Sequence, residues 1–165
     1  FPSTGPDSPL LTAYSILHEG SQRSLVDWLC SGVFDRFPRL RMALSEGGIG
    51  WIPFVLERID HTYQSHSGYM GVDHLTKLPS EYFLDHVYGC LVHDLIGLEN
   101  RHRLPFTQLM FEVDFPHGDS QWPHSLANFV RLATDAQLSD DEINGLLRNN
   151  AIDCYDLGRF GLAKA

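Results

Sequence analysis

Three segments of the chain carry residue types that can perform acid–base or metal chemistry. Asp114 ends the apolar run "QLMFEVD" and is followed at once by "FPH", which contributes His117. Glu46 ends the run "LRMALSE" and precedes two glycines, which let backbone or ligand approach closely. A third run ends at "CLVHD", with His93 and Asp94. Carboxylates and imidazoles transfer protons near neutral pH and bind divalent cations, so these positions are candidates for both roles.

Short apolar runs predict the strands that position these residues. The runs cover residues 40–46, the second half of 81–92, and 105–114. Apolar residues at helical spacing separate them and predict helices over residues 9–30 (weakened near Gly20), 49–66, 95–104, 123–134 and 139–157. Pro53 falls in the first turn of the second helix, where it is tolerated, and Ser139 is a good N-cap for the last. Residues 67–80 are predicted to be an irregular loop.

Alternation of helices and strands predicts an α/β fold with a parallel sheet and helical crossovers. Because the carboxyl ends of parallel strands meet at one edge, we expect Glu46, His93 or Asp94, and Asp114 to share one rim.

Each of these acids also has a structural interpretation. A carboxylate at a strand end can cap the next helix, and Glu46 could bind the N–H groups of residues 49–51. Trp51 and Trp122 are most simply packing anchors, although a tryptophan at the rim can also wall a substrate pocket. No spacing matches a nucleophile elbow, a phosphate loop or a zinc finger; "SEGGIG" lacks the G-x-G-x-x-G pattern.

The composition excludes several classes of protein. The 165 residues are 43% apolar, enough for a core, and residues 1–165 show no internal domain boundary. The net charge is −9 with no basic cluster, which argues against a nucleic-acid partner, and no run has the length of a membrane span. Cys30, Cys90 and Cys154 are distant and odd in number. Free thiols in a reducing compartment are the simplest interpretation, and we expect a cytoplasmic protein.

Three longer segments of the sequence resemble a known family. They are "SGVFDRFPRLRMALSEGGIGWIPFVLERID", "FEVDFPHGDSQWPHS" and "LSDDEINGLLRNNAIDCYDL". Together they resemble the amidohydrolase-2 family of metal-dependent hydrolases and decarboxylases related to aminocarboxymuconate-semialdehyde decarboxylase. The resemblance covers nearly the whole chain and keeps the family's motif order. It implies a (β/α)₈ TIM barrel of which this chain is the C-terminal part, about strands six to eight. The upstream part would carry the family's metal-binding histidines.

The resemblance also implies roles for individual residues. Asp114 matches the aspartate that closes the family's eighth strand, a metal ligand that also handles protons. Glu46 stands where many decarboxylase members have a histidine before a glycine pair, a departure that keeps a polar group suited to proton transfer. His117 is expected to orient Asp114 or face the pocket, and His93 and Trp122 are pocket candidates. The expected cofactor is a divalent metal, zinc before manganese.

The resulting hypothesis is an enzyme acting on a small carboxylated substrate, aromatic ones included. The reaction would be metal-dependent hydrolysis or non-oxidative decarboxylation; lactone, amide or ester hydrolysis on the same barrel is an alternative. A different alternative is a catalytically silent piece with a structural or assembly role. Three strands cannot close an eight-stranded barrel, which needs about 250 residues. We therefore expect a longer protein, a homo-oligomer, or folding against the remainder of the barrel.

Overall fold

A three-stranded parallel sheet organises the part of the chain that the computed structural model describes, residues 5–118 and 120–165. The strands lie in the order β1-β2-β3, and their bounds are β1 Met42–Leu44, β2 Val87–Leu91 and β3 Leu109–Phe111. In the register, Met42 is opposite Val87 and Gly89 is opposite Leu109. This confirms the predicted α/β class with parallel strands. Each strand is shorter than predicted.

Helices precede, connect and follow the strands. They are α1 Leu10–Ser15, α2 His18–Cys30, α3 Val33–Arg36, α4 Ile52–His66, α5 Pro79–His86, α6 Leu95–Glu99, α7 Ser125–Asp135, α8 Asp140–Asn144 and α9 Asn150–Cys154. A π-helical turn, Gly145–Asn149, joins α8 to α9. Short 3₁₀ turns cover Ser67–Tyr69, Arg101–Arg103, Phe106–Gln108 and Leu157–Phe160. Within the described residues, no helix is long and apolar enough to cross a membrane.

The sequence signals at helix ends are partly confirmed. The Ser139 hydroxyl accepts the N–H of Glu142 at 3.3 Å, and the Glu142 carboxylate accepts the N–H of Ser139 at 2.9 Å, which is a complete capping box. The first predicted helix breaks at residues 16–17 and not at Gly20, which lies inside α2. Nothing lies within 4 Å of the position where a Gly20 side chain would begin, so this glycine answers no steric demand.

The core lies on both faces of β2, which is buried along its whole length. Residues alternate between the faces of a strand. Val87 and Leu91 belong to the main core, with Phe83 of α5 and Phe129 of α7. Tyr88 and Cys90 face the other side, in a smaller cluster with Met110 and Cys154. The sheet is therefore held between helices on one side and α9 on the other, and its carboxyl edge has a fixed position.

Candidate metal and acid–base site

Glu46 and Asp114 both lie just beyond the carboxyl ends of strands, as the sequence predicts. Glu46 follows β1 and Asp114 follows β3, and both have left-handed backbone geometry, with φ of 58° and 54°. A residue with a Cβ in this region costs on the order of 1–3 kcal/mol and persists where its surroundings hold it. Such residues cluster at functional sites, so the two turns are consistent with a site at this edge.

Three side chains converge at this edge of the sheet. Potential ligand atoms of Glu46, Asp114 and His117 all lie within 4.8 Å of one another. His117 Nδ1 is 2.8 Å from Asp114 Oδ1 and 3.7 Å from Glu46 Oε1. The Asp114 side chain is only 10% exposed, whereas those of Glu46 and His117 are 53% and 71% exposed. A mixed carboxylate and imidazole set of this size can hold a divalent cation such as zinc or manganese, so these residues fit the expected cofactor.

A cavity of about 890 Å³ opens beside the three residues. Its wall comes from the exits of all three strands together with α1, α2 and the segment after β3. The residues that line it include His18, Glu46, Trp51, His93, Asp94, Asp114 and His117. The volume is within the range of small-molecule sites, roughly 300–1,000 Å³.

His93 and Asp94, the two candidates at the end of β2, have different environments. Both line the cavity, and His93 is exposed. Asp94 is bound to backbone: its Oδ1 accepts the N–H of Gly97 at 2.7 Å and caps α6. Its Oδ2 accepts the N–H groups of Ile49 at 2.6 Å and Gly50 at 2.7 Å. Asp94 therefore fixes the turn after β1, and it takes two of the N–H groups that a capping Glu46 would need.

The two tryptophans are placed differently from each other. Trp51 lines the cavity, and its Nε1–H donates to the carbonyl of Gly47 at 2.6 Å. Trp122 is not among the described residues that line the cavity. It is 62% exposed, and its ring lies 5.2 Å from that of Phe115.

Glu112 is an acid at this edge that the sequence reasoning missed. It is the first residue after β3, it is half-buried, and its carboxylate accepts the backbone N–H of Glu46. Burial raises the pKa of the Glu112 carboxyl, and the negative charges of Glu46 and Asp114 raise it further. Hydrogen bonds from the Glu46 N–H and the Ser45 side chain act in the opposite direction. In the strand predicted over residues 105–114 it lies two positions before Asp114, and residues two apart in a strand share a face, so this spacing was an available signal.

His18 is a second residue that was missed, and no local pattern could have indicated it. It begins α2, some thirty residues before Glu46, yet it lines the same cavity. His18 reaches the cavity because α2 packs closely on Gly47. A Cβ built at Gly47 would lie 3.0 Å from Ser21 Oγ, so the first turns of α2 lie directly on the turn after β1.

The solved structures that resemble this fold include the following three. The first is an amidohydrolase from Mycobacterium avium subsp. paratuberculosis K-10, 20% identical with a TM-score of 0.70, covering 91% of this chain and 37% of its own. The second is 5-carboxyvanillate decarboxylase from Sphingomonas paucimobilis, 26% identical with a TM-score of 0.65. The match covers 79% of this chain and 38% of the decarboxylase chain. The third is a dihydroxybenzoic acid decarboxylase from Polaromonas sp. JS666 with bound manganese and the inhibitor 2-nitroresorcinol. It is 17% identical with a TM-score of 0.66, and the match covers 86% of this chain and 41% of the Polaromonas chain.

The chain thus spans 37–41% of the length of these three structures. No curated protein sequence matches it. Residues 16–157 match the amidohydrolase family, which confirms the resemblance inferred from the sequence motifs. The chain belongs to the amidohydrolase family.

Proposed function

We propose that the complete protein is a metal-dependent enzyme that decarboxylates or hydrolyses a small carboxylated substrate. The observation that carries the proposal is the convergence of Glu46, Asp114 and His117 within 4.8 Å, at the carboxyl edge of a parallel sheet. Family membership supports an amidohydrolase reaction. The two decarboxylases among the similar structures favour decarboxylation of an aromatic acid over lactone, amide or ester hydrolysis.

We further propose that residues 1–165 form the C-terminal part of one (β/α)₈ barrel, about strands six to eight. Among the described residues, β1 and β3 each pair only with β2, so each has one unpaired edge. Unpaired strand edges favour association with other strands. The remainder of a barrel would pair with both edges, and a homo-oligomer could cover part of the same surface.

The free thiols of Cys30, Cys90 and Cys154 support a cytoplasmic location.

Asp114 is the proposed metal ligand and His117 the residue that orients it. The Asp114 carboxylate is largely shielded from water and bonded to Nδ1 of His117, so its direction is fixed before any cation binds. Glu46 is the third residue of this group, close enough to act on a substrate held beside Asp114. When bound, a divalent cation would polarise a substrate oxygen and lower the pKa of a water molecule.

Glu46 is the proposed proton-transfer residue. In decarboxylation the bond between carbon and carboxylate breaks, its electron pair stays on the carbon, and that carbon takes a proton as CO₂ leaves. Glu46 Oε1 would hold this proton, since the carboxylate lines the cavity and is 53% exposed. In hydrolysis the same oxygen would take a proton from water and return it to the leaving group. His93 and Trp51 would contact the substrate from the cavity wall.

Two candidates remain for the metal. Carboxylate donors suit manganese and imidazole donors suit zinc, and the family resemblance favours zinc first. The manganese in the Polaromonas structure supports the second choice. Elemental analysis of the purified complete protein, grown with both metals, would identify the cation.

The reaction is tested on the same protein with a panel of substrates. Release of CO₂ from 5-carboxyvanillate and dihydroxybenzoates would be compared with hydrolysis of a lactone, an ester and an amide. Metal-dependent CO₂ release that Asp114→Asn abolishes is the expected result. Hydrolysis alone would support the alternative reaction. A protein with neither bound metal nor turnover would overturn the proposal in favour of a structural role.

A further inference from the structure

The turn after β1, residues 45–50, is held by carboxylates from the ends of both other strands. From the end of β2, Asp94 accepts the N–H groups of Ile49 and Gly50. From the end of β3, Glu112 accepts the N–H of Glu46. The turn that presents Glu46 is therefore fixed at its start by one acid and at its end by another.

The bond from Glu112 to Glu46 spans the width of the sheet. The strand order is β1-β2-β3, so β1 and β3 are not neighbours and the Glu112 side chain reaches across the end of β2. The Glu112 backbone is itself anchored there, because its N–H donates to the carbonyl of Leu91 at 3.0 Å. The carboxylate that receives the Glu46 N–H thus stands on a fixed base.

Glu112 is not placed to act on a substrate directly. It is not among the described residues that line the cavity, nor among the three whose ligand atoms lie within 4.8 Å of one another. Its carboxylate accepts hydrogen bonds from the Ser45 side chain and from the backbone N–H of Glu46, a residue held at a φ of 58°. At a given φ, the N–H and the side chain of a residue point in fixed directions relative to each other. Holding the Glu46 N–H therefore also sets the direction in which the Glu46 side chain leaves the backbone.

We propose that Glu112 is a positioning residue, which holds the backbone of Glu46 so that the Glu46 carboxylate faces Asp114 and His117. The inference rests on the proposed function, because it requires Glu46 to take part in the reaction. What matters in this role is an acceptor atom at the right distance. A glutamine keeps that acceptor, an aspartate is one methylene too short, and an alanine has none.

The experiment compares Glu112→Gln, Glu112→Asp and Glu112→Ala in the complete enzyme, with Glu57→Ala as the control. Glu57 is an exposed glutamate of α4. The first measurement is hydrogen exchange of the Glu46 amide, by mass spectrometry resolved to single residues. We expect Glu112→Ala and Glu112→Asp to speed this exchange about ten-fold or more, because the amide loses its acceptor. Glu112→Gln and the control should stay within about three-fold.

The second measurement is turnover, in a double-mutant cycle with Glu46→Gln. Glu112→Ala should lower kcat by about 10–100-fold with little change in KM, a loss of the size found when a residue that orients a metal ligand is removed. In the Glu46→Gln background the same change should have no further effect, because Glu112 acts through Glu46. Glu112→Gln should restore most of the turnover.

Several results would overturn the proposal. One is unchanged exchange of the Glu46 amide in Glu112→Ala. Another is an equal loss of kcat on Glu112→Ala in the wild-type and Glu46→Gln backgrounds. A third is a Glu112→Gln variant that loses turnover while its Glu46 amide stays protected from exchange. If Glu112→Ala does not fold, Glu112→Asp decides: retention of both amide protection and turnover contradicts the positioning role. The exchange measurement needs no substrate, so it tests the bond between Glu112 and Glu46 whether or not a substrate is found. Inactivity of the wild type on every compound would contradict the proposed function alone.

Discussion

Nδ1 of His117 lies 2.8 Å from Oδ1 of Asp114, three residues earlier, in a turn that the His117 N–H also closes by donating to the Asp114 carbonyl at 2.9 Å. The carboxylate is 10% exposed and the imidazole 71% exposed. The imidazole therefore shields one side of the acid and fixes the orientation of its oxygens. This pair makes Asp114 the strongest candidate ligand in the described chain.

Asp114→Asn in the complete enzyme should abolish most activity and weaken metal binding. The amide keeps the shape of the side chain but removes its charge and one basic oxygen, so a ligand and a proton acceptor are lost together. We expect turnover to fall at least about 10²-fold. Bound metal would be measured by elemental analysis, and kcat in saturating metal. Asp73→Asn, at an exposed loop position, is the matched control. Wild-type turnover in Asp114→Asn would leave this residue with a structural role alone.

Glu46→Gln should slow the reaction without unfolding the protein. The amide cannot carry the transferred proton, and general acid–base groups contribute about 10²–10⁴ in rate. The measurement is kcat and KM across pH, with Glu57→Gln as the control, and with the thermal midpoint to verify folding. If kcat and KM are both unchanged, Glu46 has no part in proton transfer.

His117→Ala should act through Asp114. Removing a residue that orients a metal ligand commonly costs about 10–100-fold in metal affinity or activity. We expect a loss of this size in the metal dissociation constant, measured by competition with a chelator. His102→Ala, at an exposed histidine of a 3₁₀ turn, should leave affinity unchanged. Equal affinities for wild type and His117→Ala would argue that the imidazole is only a surface group.

Asp94→Ala should destabilise the fold because three N–H groups lose their acceptor. One loss is the N-cap of α6, worth about 1 kcal/mol. The others are the Ile49 and Gly50 N–H groups, which are left with partial burial and no acceptor. We expect the free energy of unfolding, measured in urea, to fall by about 2–4 kcal/mol. Asp73→Ala should change it by less than about 0.5 kcal/mol. A comparable, small effect at Asp94 would mean that water replaces the carboxylate.

The cysteine thiols should react slowly in the folded protein. Burial raises the pKa of Cys90 to about 12 and that of Cys154 to about 11, and burial followed by the charge of Asp27 raises that of Cys30. At pH 8 few thiolates are present, so a thiol reagent should label the native protein slowly and all three cysteines quickly in urea. Native labelling as fast as labelling in urea would contradict this burial.

The same pKa shifts predict how stability depends on pH. A thiol whose folded pKa is raised favours the folded state fully below the unfolded pKa, about 8.5, and progressively less above it. The free energy of unfolding should therefore decline between about pH 9 and pH 12, measured in urea at each pH. Replacing Cys90 and Cys154 by alanine should flatten this decline. An unchanged slope in the double variant would assign the decline to other groups.

The sequence by itself determined the α/β class, the parallel sheet and the meeting of Glu46 with Asp114. These depend on local signals. The spacing of apolar residues along the sequence indicates whether a segment is a helix or a strand, and parallel strands necessarily bring their carboxyl ends to one edge of the sheet. The motifs around both acids also carried the family resemblance that the match over residues 16–157 confirms. Ser139 with Glu142 shows the same principle at a single helix end, since a capping box lies within four residues.

The tertiary structure alone decided which side chain serves which purpose at that edge. His93 and Asp94 are adjacent in sequence, and only the approach of the turn after β1 commits Asp94 to backbone N–H groups. Glu112 reaches Glu46 across 66 residues, and His18 reaches the cavity because α2 packs on Gly47. Trp122 packs against Phe115, seven residues earlier, and is not among the described residues that line the cavity. The contacts of Asp94, Glu112 and α2 each join segments that are distant along the chain, and the geometry of such contacts is set by packing, which no local residue pattern encodes.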